Sequence, residues 1–189
     1  MGPRDTSRLE RAIQGIDAFN SADPKGEELS YSERMTAWLA KLEPGASEAL
    51  QIAARAQHIG RWRIPREDYP MDRAGYKRWR TDLAKLHAET TAAILAETGY
   101  DEETIARTSS LLQKKGLKTD AECQTLEDVI GLVFLENYFA DFAPKHSEEK
   151  IVHILQRTWI KMSPRGHEAA LGLELRPDLA ELVKKALAG

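Results

Sequence analysis

Four polar side chains interrupt the apolar faces of predicted helices, and they are the residues best suited to chemistry. They are Glu136, His87, His58 and Arg34. Burying such a group is costly unless it is paired, so each is expected to pair, to bind a ligand or to act in catalysis. Two histidines and a carboxylate are also suitable ligands for a divalent transition metal.

Glu136 is the clearest of the four. Its neighbours three and four residues away along a helix are apolar, namely Leu132, Val133, Phe139 and Ala140. A carboxylate buried there would take up a proton or find a cation, a histidine or a metal. Three interpretations stay open: a buried salt bridge, a ligand-binding or catalytic role, and exposure through a bend in the helix.

The other three have alternatives of their own. His87 occupies a position on an apolar stripe that a satisfied core histidine also fills. His58 lies in the last turn of its predicted helix, where the helix dipole favours the imidazolium form and a capping role is the alternative. Arg34 could pair with Glu136. Because sites in helical bundles are built from inward side chains on facing helices, these residues are compatible with one shared site.

A basic and aromatic stretch over residues 55–80 reverses the charge of a chain whose net charge is −3. The arginine fork suits phosphate and carboxylate. Arg61, Arg66 and Trp62 follow directly after His58, so we expect them to hold an anionic small molecule there. The alternative is an ion-paired loop whose tryptophans anchor the core.

A second, smaller basic cluster contains Lys114, Lys115 and Lys118, and Lys115 joins the predicted ligand-binding residues. Nucleic acid is not favoured as a partner, because the basic surface is local. An exposed Trp62 or Trp79 would allow a homodimer, although core packing explains both residues equally well.

The elements that must position these residues are all helical. No segment shows the alternation typical of a strand, and the apolar residues follow helical periods. The pattern predicts one all-α domain over residues 1–189, with a core from about residue 8 to 187, as a compact bundle of about eight or nine helices. The predicted start and stop signals are a capping box at Ser30, Gly60 as a C-terminal cap, Asp72, Ser147, and Ser163 followed by Pro164.

Several classes of protein are not favoured by the sequence. Cys123 is the single cysteine, which excludes an internal disulfide and is typical of a cytoplasmic protein. The longest apolar run, Val129–Leu135, is too short to cross a membrane. The sequence contains no HExxH, P-loop, GxGxxG or GxSxG motif.

Long blocks of the chain resemble the bacterial and fungal family called domain of unknown function 4202. The resemblance runs from about residue 8 to 187 and is carried by ERMTAWLAKLEP, ALQIAARAQHIGRWRIPREDYPMDRAGYKRWR, LHAETTAAIL, LEDVIGLVFLENYFADFA and HSEEKIVHILQRTWIKMSPRGHEAAL. The family name implies no activity.

A more distant resemblance is to the HD-domain metal-dependent phosphohydrolases, which are all-helical. Gln57-His58 stands where their His-Asp doublet would be, and LHAETTAAIL is similar to their later histidine block, with His87. FLEN is similar in placement to their final aspartate helix and supplies Glu136, with Asp128 as the alternative. Arg34 stands roughly where the first histidine belongs.

The HD resemblance implies an HD-like fold and a hydrolase that acts on a phosphorylated or anionic small molecule such as a nucleotide. His58, His87 and Glu136 would form its catalytic centre, and together with Asp128 they would be the candidate ligands of one divalent metal. Arg34, Arg61 and Arg66 would bind the anionic group. The alternative function is a non-catalytic domain that binds an anionic ligand or a protein partner, with Glu136 paired to Arg34.

Overall fold

The computed structural model describes residues 7–188, and within that range every regular element is helical. The all-α expectation is therefore confirmed. The chain forms two compact units that divide after Gly116. The ten α-helices of the described range are α1 Arg8–Asn20, α2 Glu28–Leu42, α3 Glu48–Arg55, α4 Arg73–Glu97 and α5 Glu102–Leu112 in the first unit, and α6 Ala121–Val133, α7 Phe139–Phe142, α8 Glu148–Lys161, α9 Pro164–Leu171 and α10 Pro177–Ala188 in the second.

Most helix starts follow local side-chain caps. The Asp72 carboxylate accepts the N–H of Gly75, the Ser147 hydroxyl accepts that of Lys150, and Ser163 precedes a proline at the first helical position. These caps were predicted and are confirmed. The capping box predicted at Ser30 is wrong, because α2 starts two residues earlier, at Glu28.

The start of α2 is stabilised by a more distant residue. The Asp23 carboxylate accepts the backbone N–H groups of Glu27 at 2.8 Å and Glu28 at 3.1 Å. These bonds satisfy two of the donors that a helix N-terminus leaves unpaired. They hold Glu28 in a buried position at the first turn.

In the first unit, α3 packs against α1, α2 and α5, and α4 packs against α1 and α5. The core holds fully buried side chains from these helices, including Ile16, Met35, Ile52, Leu95 and Leu111. After α3 the chain turns at Gly60, whose φ of 70° is left-handed. Two short 3₁₀ turns, Arg61–Arg63 and Arg66–Asp68, then lead into α4.

In the second unit, α6 packs against α8 and α9, and α8 packs against α10. A π-helical turn, Phe134–Tyr138, follows α6 directly and separates it from α7. This interruption divides the helix that was assumed to run without a break around Glu136, and it is one reason why ten α-helices are found in the described range where about eight or nine were expected. No helix in the described range is both long enough and apolar enough to span a membrane.

Candidate cationic cavity

The first unit contains a cavity of about 270 Å³, which lies beside the turn after α3, the first half of α4 and the end of α5. Its lining combines apolar side chains with neutral and cationic polar groups. Six of the polar residues carry the argument: Gln57, His58, Arg61, Arg80, His87 and Lys114. Among residues 7–188, no carboxylate belongs to the cavity lining.

His58 is held on three sides. Its ring stacks on Tyr31 with a centroid distance of 3.6 Å and an interplanar angle of 6°. Nδ1 lies 3.3 Å from Glu28 Oε2, and Nε2 lies 3.0 Å from a guanidinium nitrogen of Arg61. Because the guanidinium can only donate, Nε2 is the accepting nitrogen and the ring proton is on Nδ1, facing Glu28. The predicted capping role does not describe this residue.

The environment keeps His58 neutral. Burial lowers its pKa well below the usual value, and the charges of Arg61, Arg80 and Lys114 act in the same direction. Burial also raises the pKa of Glu28 to about 7, although the charge of Arg61 opposes that rise. The contact between His58 and Glu28 is therefore one of a neutral imidazole with a carboxyl group that titrates near neutrality.

His87 extends from α4 and is only 5% exposed. Its Nδ1 lies 2.6 Å from the carbonyl oxygen of Ile59, which can only accept, so Nδ1 carries the proton. The pKa of His87 is lowered to about 4, chiefly by burial and also by the charges of Arg61 and Arg80, against the effect of the Ile59 carbonyl. At neutral pH, Nε2 is thus an unprotonated acceptor with no hydrogen-bond partner in the described part of the chain.

The three cations are positioned by different means. The Arg61 guanidinium contacts His58 and lies 5.1 Å from the ring centroid of Trp79, a cation–π distance. Lys114 sits at a left-handed backbone position, φ 54°, just after α5. Arg80 is exposed and makes no ion pair or hydrogen bond within residues 7–188. Together they give the cavity a positive potential that favours an anion.

The described residues do not fit a metal centre in this cavity. His58 Nε2 already faces a guanidinium, its Nδ1 carries the proton, and the neighbouring side chains are cations. That leaves His87 Nε2 as the single imidazole lone pair, where a metal needs several such ligands. Consistently, no group of three or more His, Cys, Asp or Glu side chains within residues 7–188 is arranged to hold a metal ion.

Two predicted ligand-binding residues of the basic stretch have structural contacts instead. Arg66 donates to the carbonyl oxygens of Tyr69 and Asp72, at 3.1 Å and 3.4 Å, and thus holds the turn before α4. Trp62 packs against Phe19 with a centroid distance of 5.8 Å. Neither lines the cavity, whereas Arg61 does.

Arg34 and Lys115 also lie away from the cavity lining. Arg34 is exposed on α2, so the expectation of a buried position is wrong. The backbone of α2 directs Tyr31, Met35 and Leu39 inward, and Arg34 falls on the other side of that stripe. Lys115 is exposed, and its neighbour Lys114 lines the cavity in its place.

The two predicted carboxylates belong to the second unit. Glu136 is exposed, so the interpretation of a buried carboxylate is wrong. It lies within the π turn, whose wider spacing shifts the helical phase that the prediction assumed. Asp128 is buried, and it accepts hydrogen bonds from the backbone N–H and hydroxyl of Ser163 and from the Gln124 amide. These bonds account for its burial.

Three residues of the cavity were missed or only mentioned by the sequence reasoning. Gln57 was noted beside His58 but given no role, and Arg80 and Lys114 were members of basic clusters with no role assigned. Arg80 and His87 lie seven residues apart on α4, which places them on one face of a helix. That spacing was a signal available in the sequence.

Residues 7–188 thus form an all-α protein whose first unit carries a cationic cavity beside two neutral histidines. Residues 10–183 match the family described as Domain of unknown function (DUF4202), and the chain belongs to that family. The expected membership is therefore confirmed. Searches of the curated proteins and of the solved structures found no match.

Proposed function

We propose that this protein binds a phosphorylated or otherwise anionic small molecule in the cavity of the first unit. The observation that carries the proposal is the charge of the lining, where Arg61, Arg80 and Lys114 are present and carboxylates are not. An anion there meets guanidinium and ammonium donors.

The state of Arg80 supports this proposal further. A cation with an acidic partner has its charge already compensated, whereas Arg80 has no such partner in the described range. The low pKa of His87 also reflects the positive charge of the cavity. The cations that would attract an anion disfavour a proton on the ring.

Calorimetric titration with inorganic phosphate at low ionic strength tests the proposal. The double variant Arg80→Met and Lys114→Met should bind phosphate about tenfold more weakly, since two partly exposed charges are lost. The affinity of the native protein should fall as salt is added, because salt screens these contacts.

A matched control removes the same two charges from adjacent positions. Arg78 lies on α4 and Lys115 follows Lys114, and neither lines the cavity. The double variant Arg78→Met and Lys115→Met should bind phosphate as the native protein does. Absence of phosphate binding by the native protein, or an equal loss in both double variants, would refute the proposal.

A second candidate is the HD-like hydrolase, acting on the same kind of ligand. The observation that favours it is His87, a neutral imidazole whose Nε2 is unprotonated and unpaired in a cavity fit for phosphate. A bound phosphate dianion would raise the pKa of this imidazole, and the ring would then accept a proton from the attacking water as a general base. Release of inorganic phosphate from a phosphate monoester, lost in His87→Gln, would favour the hydrolase; binding without release would favour a binding protein.

A further inference from the structure

Gln57 lines the cavity, and its side chain carries a buried amide oxygen that has no hydrogen-bond partner among residues 7–188. The residue is 6% exposed, and it lies in the turn between α3 and Gly60. Its Oε1 is fully buried and has no hydrogen-bond partner among residues 7–188. Buried side-chain oxygens are nearly always paired, since leaving one unpaired costs the full desolvation of that group.

The residues around Gln57 make the free-energy cost of this unpaired oxygen an argument for a ligand. Ala53, Ala54 and Ala56, which precede Gln57 in the chain, are apolar and fully buried, and an apolar residue at position 57 would avoid the cost of an unpaired oxygen. A glutamine at this place is useful if something in the cavity donates to it. The oxygen is closed off in this side-chain conformation, so a rotation of the flexible Gln57 side chain would bring it to a donor in the cavity, such as a ligand hydroxyl or amine.

His87, which lines the same cavity, offers a second hydrogen-bond acceptor through its Nε2. This nitrogen is unprotonated, and no group among residues 7–188 donates a hydrogen bond to it. The cavity therefore combines two kinds of recognition. Its cations suit the anionic part of a ligand, and its two neutral acceptors suit hydrogen-bond donors on the remainder of that ligand.

We infer that the ligand is a small hydroxylated phosphate monoester, of the polyol-phosphate or sugar-phosphate class, and that Gln57 is the residue that recognises a hydroxyl group of it. This inference rests on the proposed phosphate binding. A cavity of about 270 Å³ lies just below the roughly 300–1,000 Å³ typical of sites for drug-sized ligands, which suits a compact molecule of this kind.

Two probes with the same charge and the same carbon chain test the inference. Glycerol 3-phosphate carries two hydroxyl groups and propyl phosphate carries none. The native protein should bind glycerol 3-phosphate about tenfold or more tightly, because one hydrogen bond to a buried acceptor is gained. Gln57→Met, which is unbranched and similar in size, should bring the two affinities together by weakening glycerol 3-phosphate alone.

The comparison in the native protein needs no variant, so a folding defect in Gln57→Met would not block the test. Equal binding of both probes would overturn the inference while leaving the phosphate site intact. Binding of neither probe, together with no binding of inorganic phosphate, would overturn the proposed function as well. A preference that persists in folded Gln57→Met would assign the hydroxyl to another residue.

Discussion

The two units bury polar side chains in opposite ways. In the second unit, Asp128 is 1% exposed, and three donors from Gln124 and Ser163 serve its oxygens. In the first unit, Gln57 is 6% exposed, and its oxygen has no donor in the described range. Burial is thus similar, and the difference lies in whether the protein itself supplies the partner.

The geometry around Asp128 shows what a structural role requires. A Cβ on Gly166 would lie 2.7 Å from the Asp128 carboxyl carbon, so the start of α9 approaches the carboxylate as closely as a glycine allows. The carboxylate and the helix start are fitted to each other, and no room remains for a ligand between them. Around Gln57, His58 and His87 the protein instead leaves a cavity.

This difference teaches how to separate structural from functional polar residues. A buried polar group costs free energy unless it is paired, and the fold can provide the partner at once or leave it to a ligand. By that criterion Asp128 serves stability, and the residues of the first-unit cavity serve binding. The predictions below test the two sides of this contrast.

The largest effect is expected for Asp128→Ala. The substitution leaves the Ser163 N–H and the Gln124 amide without their acceptor, so the free energy of unfolding should fall by about 2–4 kcal/mol. Urea denaturation measures this change. Asp141→Ala removes an exposed aspartate of the same unit and should change the free energy of unfolding by less than about 0.5 kcal/mol. Equal effects of the two variants would show that the hydrogen bonds to Asp128 contribute little.

A smaller effect is expected for Ser163→Ala, and it can be compared with another helix cap. Ser163 caps α9 and also donates to the buried Asp128, whereas the exposed Ser147 only caps α8. Ser163→Ala should lower the free energy of unfolding by about 1–2 kcal/mol and Ser147→Ala by about 0.5–1 kcal/mol. If Ser147→Ala cost as much as Ser163→Ala, the contact with Asp128 would add nothing to the cap.

The fold was largely predictable where local signals decide it. Asp72, Ser147 and Ser163 stand directly before the helices they cap, so short-range chemistry sets those starts. The start of α2 was not predictable in this way. Its cap is Asp23, which lies in the preceding loop and reaches N–H groups four and five residues further on.

The candidate site was predictable only in part. His58, Arg61 and His87 were singled out and do line one cavity. Of the three interpretations of Glu136, exposure through a bend agrees with the structure, because helical periodicity fails across a π turn that the sequence does not mark. The role of Gln57 could not be deduced, because an unpaired oxygen becomes visible only when all the surrounding donors are placed.

The smallest effect is a change in the pH dependence of stability. The pKa of Glu28 is about 7 in the folded protein against its usual 4.5, so the folded state binds more protons between these values. Its contribution to stability is therefore complete below pH 4.5 and is lost as the pH rises through 7. The pKa of His87 is about 4 against 6.5, so its contribution has the opposite sign, being complete above pH 6.5 and lost as the pH falls through 4.

These two contributions oppose each other between about pH 4.5 and 6.5, and Glu28→Gln should separate them. With Glu28 removed, the melting temperature should rise more steeply with pH up to about 6.5 and should no longer decline between about pH 6.5 and 7.5. Melting temperatures followed by circular dichroism from pH 5 to 8 measure both slopes. Glu27→Gln, an exposed neighbour, should follow the native curve. If the melting temperatures of Glu28→Gln also followed the native curve, Glu28 would titrate as an ordinary surface carboxylate. Burial in the first unit would then leave the pKa of this carboxyl group unchanged.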